Sequence, residues 1–416
     1  MIRQLLRTRV PSSSISQNVR HSASLSIFSP SCSMILEQYT RMGHQQQRRM
    51  NTVSEEKDPS TQSVRLTIEE VRSTTTQALR KLGWDTNSAS IQADIMTAAE
   101  ISGNNQGLVK MMQPAFMSPS MDASEPTIER ETTTSAIING NQCPGMIVAS
   151  LAAELATSKV LQSMDGSSSK IDNYQLHTRR NTSPSDIPVI AVVGTYNTCT
   201  SSGQLGHYVK KMAEEGVIGI ALVNSPEYVA AAPGAKPSLG TNPIAVGIPS
   251  IDSPFVFDMA TSAIALFGVM LAHAKSQPLP SQVAYGKDGY WTTNPVEALP
   301  GGGGAIATFG GHKGMGLSVC VELLSGVLSG GAVLGQVESK KVAKSNGHLF
   351  IAIRPNGLVD NFEEKVASVI KYIKESGENV RIPGEKSSQT AQARLKEGYI
   401  SIPVKVWDQI VQLATK

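Results

Sequence analysis

Three loops in this 416-residue chain carry small, hydroxyl and amide side chains beside apolar runs. They read Gly240-Thr241-Asn242-Pro243, Asp258-Met259-Ala260-Thr261-Ser262 and Gly310-Gly311-His312-Lys313-Gly314-Met315-Gly316. Glycine-bracketed amides and the hydroxyls of Thr261 and Ser262 can donate to an anionic ligand, and Lys313 adds positive charge. Taken alone, His312 and Lys313 would equally suit a solvated loop, and Asp258 a helix N-terminus, where the dipole favours an acid. Generic nucleotide signatures do not fit. Gly302-Gly303-Gly304-Ala305-Ile306-Ala307 has the G-x-G-x-x-A form, but it follows Leu299-Pro300 rather than a strand. Gly311-His312-Lys313-Gly314 lacks the spacing and the Ser/Thr of a phosphate-binding P-loop. Cys32, Cys143, Cys199 and Cys320 are widely spaced with no C-x-x-C pair, so neither a disulfide framework nor a metal site is expected.

The elements that must position these loops follow from periodicity. Thr67-Ile68-Glu69-Glu70 has the capping-box form, and Ile68, Val71, Ala78, Leu79 and Leu82 repeat at helical spacing up to Gly83. Further helices are expected over about 88–100 and 146–161. Residues 163–186 are polar and aperiodic, the pattern of a long surface insertion. A strand at 189–193, a helix at 208–215 and a strand at 217–223 form a βαβ-like unit ending at Asn224-Ser225-Pro226. Apolar runs after Gly240 and at 255–257 lead to a helix ending near Ala274, and an apolar helix runs from the His312 loop to about Leu328. A strand at 349–353, a helix over about 360–375, a turn at Pro383-Gly384-Glu385 and a helix from about Pro403 complete the chain.

Composition bounds the class. With 40% apolar and 17% charged residues, the chain has the make-up of a globular protein of two to three domains. No stretch approaches the ~20 uninterrupted apolar residues of a membrane-spanning helix, so no membrane association is expected. The formal charge of +3 is unevenly spread. Residues 1–53 hold seven arginines and a single acid, Glu37, which leaves 30 basic against 33 acidic groups for the rest. An Arg- and Ser-rich, acid-poor leader with Ile2, Leu5 and Leu6 on one helical face has the make-up of a mitochondrial import peptide. Beyond it no Lys/Arg block with interleaved aromatics occurs, so no nucleic-acid partner is expected.

Taken in order, Gly216-Val217-Ile218-Gly219, the three loops above and Pro383-Gly384-Glu385 resemble the malate/L-lactate dehydrogenase family, which includes sulfolactate and ureidoglycolate dehydrogenases and is distinct from the Rossmann-type lactate dehydrogenases. The resemblance spans roughly residues 66–413. It implies an α/β fold in which a non-Rossmann NAD(P)-binding α/β domain, residues 187–339, is inserted into a mostly helical substrate-side and dimerisation domain formed by 54–160 and 340–416. It also implies a homodimer that binds NAD or NADP and oxidises a small-molecule 2-hydroxy acid. By motif match the cofactor would meet Ser225, Asp258, Met259, Ala260, Thr261, Ser262, His312, Lys313 and Gly314.

Such a reaction needs a base for the hydroxyl proton and a cation for the carboxylate. The family supplies one histidine from a Ser-His-Gly turn, an Arg shortly after it, and a second histidine from an Asn-His-x-Gly turn. Here the first turn reads Asn105-Gln106-Gly107-Leu108-Val109-Lys110, with Gln106 at the histidine and Lys110 at the Arg, which keeps charge without the bidentate fork. The second reads Thr200-Ser201-Ser202-Gly203, with Ser201 at the other histidine. His207 is a candidate substitute base, or a packing histidine. Two readings follow: an oxidoreductase with altered acid–base chemistry, or an NAD(P)H-binding pseudoenzyme with a structural or regulatory role.

Overall fold

The computed structural model describes residues 63–104, 106–161, 187–337 and 344–416. The expected import leader and the 163–186 insertion lie outside these residues. Strand β1 (Ser63–Thr67) runs directly into helix α1 (Ile68–Lys81). Thr67 caps α1 as its sequence predicts, its hydroxyl accepting from the Glu70 amide at 3.1 Å. Asp85 caps α2 (Thr86–Ile101) in the same way through the Ser88 amide. Next come β2 (Thr127–Glu131), β3 (Ser135–Asn139) and α3 (Gly145–Leu161). Met146 to Ala153 of α3 are buried without a break, the mark of a helix enclosed on all sides by core.

The middle of the chain forms β4 (Ile190–Cys199), α4 (Leu205–Glu214), β5 (Ile218–Val223), β6 (Val229–Ala230), β7 (Pro237–Leu239), β8 (Ile244–Ile248) and β9 (Phe255–Met259). Then follow α5 (Leu266–Ala274), β10 (Ala284–Tyr285), α6 (Pro295–Ala298), β11 (Ala305–Ile306) and α7 (His312–Val321), which widens into a π-helical turn over Glu322–Val327. The chain ends with β12 (Lys344–Ile353), α8 (Phe362–Glu375), α9 (Glu385–Glu397), β13 (Tyr399–Pro403) and α10 (Val404–Thr415).

Seven strands make the central sheet, in the order β2-β3-β4-β12-β5-β8-β9. The expected βαβ unit is present with one correction: β4 and β5 are parallel but not adjacent. β12 lies between them, antiparallel to both. This separates the sheet from a Rossmann arrangement. The two segments expected to form separate domains also share this sheet, since β2, β3 and β12 pair alongside strands from 190–259. A four-stranded sheet, β10-β11-β6-β7, and the β1-β13 pair complete the framework.

Strand direction determines where the loops gather. β4, β5 and β9 end at one edge of the sheet, while the antiparallel β8 and β12 begin there. The segments after Cys199, Val223 and Met259, the segment before Ile244 and the first residues of β12 therefore converge, at the carboxyl ends of parallel strands where α/β sheets take ligands.

Candidate functional site

A cleft of about 250 Å³ opens at this edge. Gln106, Ser201, Ser225, Asp258, Met259 and Ala260, all expected from sequence, line it together with Asn104, Ser202, Tyr228, Thr241 and Asn346. Asp258 is the one acidic side chain among the described residues on its wall. Burial raises its carboxyl to about 6, although the Gly206 amide donates to Oδ2 at 2.8 Å and opposes the shift. A cleft lacking both family histidines thus still holds one group that titrates near neutrality.

Other expected residues lie elsewhere. Lys110 is fully buried behind Gln106 rather than on the cleft wall. Its Nζ donates to the Gln106 carbonyl oxygen, reaches Gln106 Oε1 at 3.5 Å, and sits 4.7 Å from the Phe267 ring centroid. Desolvation pulls the ammonium down to about 7, against the pull of Glu100. Lys110 thus stands one residue back from the cleft, against Gln106 and Phe267, which line it. His207 is also off the wall, edge-on to Tyr208 with Nε2 buried and unpartnered, and burial lowers it to about 3. These surroundings are those expected of a packing histidine.

Thr261 and Ser262 spend their hydroxyls on the backbone. Thr261 Oγ1 donates to the Thr241 carbonyl at 3.1 Å, and Ser262 Oγ to that of Ile264 at 2.8 Å. They shape the loop instead of facing the cleft. His312 and Lys313 are exposed at the start of α7 and do not line the cleft. Gly314 packs so closely that a Cβ there would lie 2.1 Å from the Phe309 carbonyl oxygen.

The two loops carrying Ser225 and Thr241 are held as one piece. Ser225 Oγ accepts from the Thr241 amide at 2.9 Å, and Asn242 Oδ1 from the Ser225 amide at 3.1 Å. Gly240 allows this: a Cβ on it would lie 2.3 Å from the Ser225 carbonyl oxygen. Beneath them, Glu322 in the π-helical turn accepts from both Asn224 and Asn242, a wide turn used at a functional site.

Sequence reasoning missed Ser202, Asn346 and His348. Asn346 and His348 stand in the first half of β12, ahead of the apolar run at 349–353 where the sequence pattern places the strand. The polar Ser345-Asn346-Gly347-His348 stretch leading straight into that run was the available signal.

A mixed, non-Rossmann α/β sheet with a hydroxyl- and amide-lined cleft at its carboxyl edge defines a class of oxidoreductase scaffold. The chain belongs to the malate/L-lactate dehydrogenase family, whose model matches residues 188–411. The malate/(S)-sulfolactate dehydrogenase of Methanothermus fervidus is 32% identical over 356 residues, covering 83% of this chain and 96% of that protein. The delta(1)-pyrroline-2-carboxylate reductase 1 of Burkholderia ambifaria is 34% identical over 229 residues, 52% of this chain and 65% of that one. The crystal structure of malate dehydrogenase from Entamoeba histolytica matches with a TM-score of 0.73 at 26% identity, over 85% of this chain and 98% of that one.

Proposed function

We propose that the protein is an NAD(P)-dependent oxidoreductase acting on the CH–OH group of a small 2-hydroxy acid of malate or lactate type, and in reverse on the 2-oxo acid. The observation that carries this reading is the placement of Asp258, buried and near neutral pKa, on the same cleft as Ser225, Gln106 and Ser201. The cleft also fits the cofactor. Asn346 lines it, gives its Nδ2 to the Asn224 carbonyl, and has a buried Oδ1 with no partner, which suits a ligand N–H such as a carboxamide's. Asn346, Ser225 and Thr241 would hold the nicotinamide, which when bound exchanges a hydride with the carbon bearing the oxygen.

The chain's own part is to hold the substrate and move a proton. Ionised Asp258 takes the proton from the substrate hydroxyl in oxidation, and protonated Asp258 returns it in reduction. Since Lys110 stands behind the wall, the side-chain amides of Asn104 and Gln106 meet the substrate carboxylate with neutral donors.

A second reading, an NAD(P)H-binding pseudoenzyme, is favoured by Gln106 and Ser201 at the two histidine positions. One experiment separates them. Purified protein is titrated with NADH and NADPH by fluorescence, then assayed with malate, lactate, their 2-oxo acids and delta(1)-pyrroline-2-carboxylate. Turnover supports the enzyme, binding without turnover the pseudoenzyme, and absence of both removes both readings.

Two further features belong to this proposal. The exposed stripe Val319, Leu323 and Val327 supports a homodimer built on this face. Residues 1–53 direct the chain to mitochondria, and a reporter fused to them that stays in the cytosol defeats that assignment.

A further inference from the structure

Resting on the oxidoreductase reading, we infer that Phe267 selects the substrate class, by covering the Lys110 ammonium and offering the substrate's side chain an aromatic face. The acid taken is then a monocarboxylate with an apolar side chain, not a dicarboxylate. Phe267 lines the cleft together with Leu266 and Phe116, whereas Lys110 is fully buried and does not. Lys110 Nζ sits 4.7 Å from the Phe267 ring centroid and 3.5 Å from Gln106 Oε1. The ring and the Gln106 side chain therefore cover one and the same ammonium, as neighbours on the wall.

That neighbourhood matches the shape of a 2-hydroxy acid. Its carboxylate and its side chain leave the same carbon, so a carboxylate held at Gln106 brings the side chain to Phe267. An ammonium only donates, so Oε1 is the end of the Gln106 amide that faces it, and the NH2 group is the end that can donate to a carboxylate. The ring is fixed by its surroundings. Phe267 stands in the first turn of α5, and the segment before that helix is pinned at two points. The Ser262 hydroxyl donates to the Ile264 carbonyl at 2.8 Å, and the Ala263 amide to the Ala307 carbonyl at 2.7 Å. Phe267 also packs into a core cluster with Val109, Tyr228 and Met270.

A second carboxylate on the substrate would need a cation. Among the described residues, the cleft wall has no lysine, arginine or histidine, and its one charged group is the acid Asp258. A reduced nicotinamide ring is neutral and adds none. A carboxylate set on Phe267 would lose its water without a partner and meet the like charge of Asp258. An alkyl group in the same place sheds its water at a gain. The cation a dicarboxylate needs stands one layer behind, and the ring withholds it. While covered, Lys110 is held down near 7 by desolvation; opened to water, it becomes an ordinary ammonium.

The test compares two hydroxy acids of one skeleton and configuration. 2-Hydroxy-4-methylpentanoate carries an isopropyl group where malate carries a carboxylate of nearly the same shape. Each is titrated into protein saturated with NADH or NADPH, whichever binds. A hydroxy acid and a reduced cofactor cannot react, so binding alone is read. The wild type is expected to bind the isopropyl acid about tenfold or more tightly than malate. Phe267→Ala uncovers Lys110 and is expected to reverse that order, and adding Lys110→Met is expected to abolish the gain for malate. Lys110→Met alone removes a buried charge without opening the wall, so the ratio of the two affinities is expected to stay within about twofold. This single variant decides the matter where Phe267→Ala does not fold. A wild type that prefers malate, a folded Phe267→Ala that keeps the wild-type order, or a Lys110→Met that loses malate alone overturns the inference. A wild type that binds reduced cofactor but neither acid, and turns over no 2-oxo acid, overturns the oxidoreductase reading itself.

Discussion

The carboxylate of Glu322 meets the side-chain amide of Asn242 at 2.8 Å, and its other oxygen takes the Asn224 amide at 3.1 Å and the Leu334 backbone N–H at 2.8 Å. Three donors converge on one buried acid. Asn224 precedes Ser225 and Asn242 follows Thr241, so a residue outside the cleft sets the spacing of two loops that line it.

Glu322→Gln replaces one acceptor oxygen by an NH2 group that must face another N–H. Leaving such a donor buried and unpaired costs about 1–3 kcal/mol. The variant is expected to unfold at lower denaturant concentration and to bind NADH more weakly than the wild type. Unaltered NADH affinity alongside reduced stability would show that the network holds the fold but not the cofactor loops.

Asp258 gives a pH dependence with a definite sign. Its pKa is raised from 3.8 to about 6 by burial, so the folded state prefers the protonated form. The destabilisation is absent below the unfolded value, grows between about pH 4 and 6, and is complete above pH 6, where it amounts to roughly 1–3 kcal/mol. Asp258→Asn keeps an oxygen for the Gly206 amide, so it is expected to be more stable than the wild type at pH 8 and indistinguishable at pH 3.5. The same variant is expected to lose about 10²–10⁴-fold in kcat and the downturn of oxidation below pH 6. A downturn that persists in Asp258→Asn assigns the titration to another group.

The parts of the molecule legible in the sequence were those governed by local physics. Thr67 with Glu70, and the apolar run of α3, declare themselves through capping and composition. β2 was missed because it is a polar strand at the sheet edge, with no buried face to leave a period of two. α9 was missed because Glu385–Glu397 carries no apolar stripe, its one large apolar side chain, Leu395, being 60% exposed. In the site, Ser225 and Asp258 were readable because their loops are contiguous motifs. Lys110 turned inward because a tertiary partner, the Phe267 ring, and the Gln106 carbonyl receive it. The meeting of Ser202 with His348, 146 positions apart, depends on β12 lying between β4 and β5, an order that no local pattern encodes.

His207 is the residue whose removal is expected to help. Its Nε2 is buried without a partner, and the lowered pKa keeps the ring neutral across the working range. His207→Phe preserves the edge-on contact with Tyr208 and removes the unsatisfied nitrogen, for a gain of about 1 kcal/mol. kcat/KM for the 2-oxo acid is expected to stay within twofold. A large loss would return His207 to the list of proton carriers.

The last prediction joins the outer surface to the cleft. Val319, Leu323 and Val327, four residues apart on α7 and its π-helical continuation, are 39%, 52% and 57% exposed, with Leu328 beside them at 59%. Large apolar side chains in such a stripe are covered in a stable oligomer, and a twofold axis would set the stripe of one copy against that of another. Leu323→Glu with Val327→Glu places like charges across that axis and is expected to give single chains by sedimentation, where the wild type gives pairs. A wild type that sediments as a single chain removes the dimer on this face. Glu322 belongs to the same turn, pointing inward to Asn224 and Asn242 while Leu323 and Val327 point out. Pairing on this face would therefore brace the turn that spaces the Ser225 and Thr241 loops. The charged double variant is expected to stay folded and yet bind NADH several-fold more weakly, whereas unchanged affinity would show that the turn is rigid without a partner.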